Sequence, residues 1–131
     1  MVMLRRALYA AAAAWMLSGL GIAVTPRFWL VTVFDQPGYP DYAYVRIAGV
    51  GAIALALLMV MVAHHAEDNW WWSWAFVIAT GAVAIISIVN LVTLPNGTPA
   101  GLWWLIFATN ALLAFGLLYG LARTGTERSP V

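Results

Sequence analysis

Apolar residues run almost unbroken through four stretches of this chain, roughly Leu4–Val24, Tyr42–Ala63, Trp70–Leu94 and Gly101–Leu121. Each holds about 20 residues or more, enough for an α-helix rising ~1.5 Å per residue to cross a ~30 Å hydrocarbon layer. A helix of a water-soluble bundle carries a polar stripe along one side. These stretches carry none. The pattern therefore predicts an all-α membrane protein, an antiparallel four-helix transmembrane bundle. Residues 1–131 form one transmembrane domain of a multi-pass protein of the cell membrane, with the lipid bilayer as its first partner.

The connections between the runs carry most of the turn signals. Pro26 stops the first helix, because proline cannot continue the backbone ladder. The first loop, residues 25–41, is the only long one. Its apolar part, Phe28 to Phe34, is expected to lie in the membrane interface as a short helix or extended stretch. Pro37, Gly38 and Pro40 then turn the chain into the second helix. His64 to Asn69 reads as the middle loop, with Asp68 or Asn69 as a cap for the next helix. Pro95 to Ala100 reads as a tight turn, and the tail from Thr124 as a frayed end. Val24-Thr25-Pro26 and Val92-Thr93-Leu94-Pro95 share an ending that a duplication of two hairpins would explain.

Arginine counts near the helix ends set the orientation. Arg5, Arg6, Arg123 and Arg128 fall on the side of the termini, and Arg27 and Arg46 on the other. Both termini are thus expected in the cytoplasm. Arg5 and Arg6 ahead of an alanine-rich run also resemble the start of a signal peptide, with Ser18, Gly19 and Gly21 as a small-residue cleavage site. The run is long for such a segment, so a retained first helix is the expectation.

Composition narrows the chemistry. Charged residues make up 8% of the chain, against about 25% in soluble domains. A net charge of +1, without a basic patch, speaks against a nucleic-acid partner. There is no lysine, which excludes Schiff-base chemistry and any retinal link. There is no cysteine, which excludes disulfides, thiolate metal sites and quinone-linked thiol redox enzymes. No cofactor is implied.

Several groups of residues remain as candidates. Trp70, Trp71, Trp72 and Trp74 open the third helix, and Trp103 and Trp104 the fourth. Indole favours the headgroup level, so anchoring accounts for both groups; an aromatic wall for a lipid or quinone-like ligand is the functional alternative. His64, His65, Glu67 and Asp68 form the one cluster of metal-ligating types. Adjacent histidines on a helix point ~100° apart and no third histidine exists, so the cluster reads better as a polar helix end. A metal-binding enzyme using this loop is the least favoured function.

Arg46 lies about one turn inside the second helix, where a charge must snorkel outward or find a partner, with Asp35 and Asp41 as candidates. Asn90, Ser87, Ser18 and Asn110 fall in the same outer half. They either tie helices together or, with Arg46 and Asp41, line an outward-facing pocket for a small ligand or lipid headgroup. Stripes of small residues supply packing faces: Ala7, Ala10 or Ala11, Ala14, Ser18 and Gly21 in the first helix, Ala48, Ala52 and Ala56 in the second, Gly116 and Gly120 in the fourth. Such faces either close the bundle or build a homo-oligomer or larger membrane complex.

Small multidrug transporters are similar in size but need a glutamate in the first helix, which is absent here. The Glu-Arg motif of four-helix glutathione-linked membrane enzymes is absent too. Arg46-Ile47-Ala48-Gly49, after a proline-bearing loop, resembles small bacterial four-helix membrane proteins of the DoxX-like type. That resemblance implies a bundle and no particular reaction. A non-enzymatic structural, accessory or interaction subunit is the leading expectation.

Overall fold

The computed structural model describes residues 1–127 of the chain. Five α-helices follow one another: α1 Val2–Val24, α2 Ala43–His64, the single turn α3 Ala66–Asn69, α4 Ser73–Thr93 and α5 Gly101–Glu127. Among the described residues there is no strand. Four helical stretches are long and apolar enough to cross a membrane: Val2–Val24, Ala43–His64, Ala66–Thr93 and Gly101–Thr126.

The connections differ from the sequence expectation in two places. His64 to Asn69 is not an open loop. The chain turns at His65, re-enters helix at Ala66 and passes through a 3-10 turn, Trp70–Trp72, straight into α4. Neither Asp68 nor Asn69 makes a side-chain cap there. The tail is not frayed at Thr124 either. Helix α5 continues to Glu127, and Thr124 is fully buried. Arg128, read as part of the inner charge set, lies outside the described residues.

The first loop does hold a short helix. Phe28–Val33 forms a π-helical turn, in which Phe34 N–H reaches Trp29 O at 3.1 Å. Such turns are rare and short because their hydrogen-bond geometry is poor. Asp35 ends it at φ 54°, a left-handed conformation that Asp tolerates better than most residues. The last connection closes with Thr98 N–H on Pro95 O at 3.2 Å, and Gly97 sits inside it at φ 86°. A side chain would be strained there, so glycine is the residue that fits.

The spanning helices are arranged as a row, α2–α1–α5–α4, with substantial packing between each neighbouring pair. The two edge helices, α2 and α4, touch each other only lightly. Small residues allow the close approaches. A Cβ on Gly19 would lie 2.7 Å from Gly49 O, and one on Gly120 2.6 Å from Leu4 Cα. The Gly116/Gly120 pair therefore faces inward and joins α5 to α1. In lipid, where apolar side chains gain little by leaving their surroundings, such backbone-to-backbone contact is a main source of helix association.

One cluster of buried apolar residues draws on all four spanning helices. It comprises Leu4, Leu8, Ala11 and Ala12 of α1, Ala56, Met59 and Ala63 of α2, Phe76 of α4, and Leu117 and Leu121 of α5. Most of these belong to the end that holds the N-terminus and the α2–α4 connection. Arg5 ties that end: its Nη2 lies 2.6 Å from Glu67 Oε1, and its Nε donates to Ala63 O at 3.0 Å. At the opposite end, Gln36 Nε2 in the first loop donates to Pro99 O in the last connection at 3.0 Å.

The Arg5–Glu67 pair is 37% and 59% exposed. Water screens a pair of that exposure, and such pairs contribute about 0–1 kcal/mol. Arg5→Gln is accordingly expected to lower stability by less than about 1 kcal/mol, with the difference shrinking as salt is added. Unfolding titrations in bicelles at low and high salt would check this.

Candidate functional site: the groove between α2 and α4

The polar residues within the spans mostly satisfy their own helix. Thr80 Oγ1 donates to Phe76 O at 2.8 Å, Ser87 Oγ to Val83 O at 2.7 Å, and Asn110 Nδ2 to Ile106 O at 2.9 Å. This back-bonding is the usual solution where no water is present to take the proton. Asn110 thus spends its amide N–H on its own helix rather than linking two helices. Its Oδ1 is buried without a hydrogen-bond partner, as are Ser73 Oγ and Thr124 Oγ1.

The outer-half candidates come from all four spanning helices and the residues just before α2. Arg46 and Ser18 are exposed on α2 and α1. Ser87 and Asn110 are buried on α4 and α5, and Asn90 is half-buried on α4. Asp41 is exposed and accepts the Ala43 N–H at 3.0 Å, at the start of α2. Among the described residues no hydrogen bond or ion pair joins any two of these six, and neither Asp35 nor Asp41 pairs with Arg46. A hollow of 260 Å³ beside Asn90 is lined by α4 alone, with Ile86 and Thr93 among its walls.

The opposite end is more organised. Tyr9 OH and His64 Nδ1 share a hydrogen bond, and their rings meet edge to face at 5.8 Å. Arg5 and Tyr9 stand four residues apart, on one side of α1. Together they hold the end of α2 and the following turn. Among the described residues no three His, Asp or Glu side chains gather as a metal site would require.

The tryptophans divide. Trp70 is half-buried against the core, and Trp70, Trp71 and Trp74 form a chain of edge-to-face contacts at 5.4 and 6.2 Å. Trp72 points elsewhere, into a groove of 470 Å³ between α2 and α4. Leu55, Leu58 and Val62 of α2 and Phe76 of α4 line its apolar length; His65, Asn69 and Trp72 line its one polar end. Leu55, Leu58 and Val62 recur at spacings of three and four, the interval that keeps side chains on one helical face of α2; the other walls come from beyond the turn at His65, where helical spacing no longer relates them to α2.

No protein family, curated protein or solved structure matches this chain. The DoxX-like likeness accordingly rests on Arg46 to Gly49 and the four-helix layout alone, and the groove has to be read from its own chemistry. It offers a narrow apolar slot open along its side, closed at one end by an imidazole, a carboxamide and an indole N–H.

Proposed function

We propose that this chain is a small polytopic membrane protein with a structural or accessory role, acting by association within the bilayer and not by catalysis. The observation that carries this reading is the row α2–α1–α5–α4 with its lightly touching ends. A closed bundle buries the inner face of every helix. Here the two edge helices each pack fully along one neighbour only. Large apolar side chains stay outward on α4 and α5, among them Ile78, Ile86, Val92, Leu112 and Phe115. In this reading both termini face the cytoplasm, following the arginine bias.

Extraction in a mild detergent or native nanodiscs, followed by crosslinking and native mass spectrometry, tests the role. The expected product is a homo-oligomer or a complex with another membrane protein. Recovery of the free monomer alone, with no crosslinked partner, would refute it. A second reading, small-ligand or lipid binding in the outer half of the bundle, draws on the unpartnered Asn110 Oδ1. Under it, Asn110→Leu weakens retention of a co-purified molecule; if Asn110→Leu only stabilises the protein, the buried carbonyl serves no ligand.

A further inference from the structure

The groove between α2 and α4 has a chemistry that the accessory role does not use. Its walls are Leu55, Leu58, Val62 and Phe76, and its polar groups are confined to one end. His65, Asn69 and Trp72 at that end make no side-chain hydrogen bond with any described residue, and each can donate one. The polar end lies beside the close of α2 at His64, the depth at which indole N–H groups meet lipid headgroups. The groove's natural occupant therefore has one apolar chain and a head rich in acceptors.

We infer that this groove holds one acyl chain of a glycerophospholipid, with its phosphate or ester oxygens accepting from His65, Asn69 and the Trp72 indole. The volume suits a chain of that kind. At 470 Å³, it falls within the roughly 300–1,000 Å³ of pockets that enclose a small molecule. Lying between the edge helices, the lipid would complete a ring that α2 and α4 leave nearly open.

The test uses the full chain in vesicles of phosphatidylcholine containing a small fraction of phosphatidylcholine with a diazirine in one acyl chain. After photolysis, adducts are mapped by peptide mass spectrometry. A bound lipid predicts adducts concentrated at Leu58, Met61, Ala75 and Phe76, saturating at low probe fraction. Adducts on Ile85, Ile86 and Val89, on the outer face of α4, should instead grow in proportion to probe. Ala75→Trp fills the slot and is expected to lower the groove adducts several-fold while leaving those at Ile86 unchanged. Trp72→Phe keeps the ring but removes the N–H, and should raise the probe fraction needed for saturation.

Equal, unsaturated labelling of both faces in the native chain overturns the proposal, whatever the variants do, since it describes bulk lipid. So does labelling of these residues by a photoreactive quinone but not by the phospholipid. So does crosslinking of Leu58 to a second copy. Each of these results leaves the accessory role to be judged separately by its own crosslinking experiment.

Discussion

Replacing Gly49 with leucine is expected to force α1 and α2 apart and to cost about 3 kcal/mol or more, the upper range for over-packing. A Cβ at Gly49 would lie 2.8 Å from Gly19 O and 2.9 Å from Ala23 N. Both are backbone atoms, so no side chain can swing aside to make room. The contact is reciprocal, since a Cβ on Gly19 meets Gly49 O. Two residues further along, Gly51 has nothing within 4 Å of its Cβ position. Gly51→Ala should therefore leave stability unchanged or raise it by up to about 1 kcal/mol, through the better helix propensity of alanine. Unfolding of both variants in bicelles separates the two cases. Equal midpoints would mean that the Gly19–Gly49 crossing is not the contact that holds this pair.

Gly120→Leu should have a comparable cost and a different consequence. A Cβ there would stand 2.6 Å from Leu4 Cα and 2.9 Å from Leu4 N. Helices α1 and α5 form the main joint between the two hairpins, because α2 and α4 touch only lightly. The variant is expected to keep its helical circular dichroism but lose the packing of one hairpin on the other. The absence of native cysteine makes this simple to measure. A Cβ at Gly116 would lie 3.8 Å from Ala7 Cβ, matching the mean separation of about 3.8 Å in disulfides. Ala7→Cys with Gly116→Cys should crosslink readily in the parent and poorly with Gly120→Leu added. Undiminished crosslinking would show that the joint survives.

The helices themselves were legible because apolar length is a direct signal. Leu4–Val24 and Tyr42–Ala63 match the observed α1 and α2 to within two residues. The last helix extends past its expected end at Leu121 because Arg123 and Thr124 look like a tail. Burial of Thr124 against the bundle outweighs its polarity. The order of helices in the row was not legible. Helices that are apolar all round carry no periodic polar face to say which side turns inward. Small-residue stripes left inward and outward faces equally open; Gly116 and Gly120 face inward, against α1. The tightest α1–α2 approach nevertheless uses Gly19 and Gly49, which are not members of those stripes. Tyr9 and Arg5 brace the end of α2, a role that depends on which helix lies beside α1 and so is not written in the pattern of α1 itself. The groove escaped because its walls come from helices on either side of a reversal.

The position of α1 in the row has a consequence for how the protein is made. Its flanks are α2, which follows it directly, and α5, which is synthesised only after α4. About sixty residues separate the end of α2 from the end of α5, or roughly 3–12 s at ~5–20 residues per second. For that interval the nascent α1 keeps Leu4 and Ala7, the residues that later meet Gly120 and Gly116, without their final neighbour. A ribosome stalled before α5 emerges should therefore leave a hairpin that quality-control proteases can still remove, and the emergence of α5 is the moment at which this bundle becomes resistant.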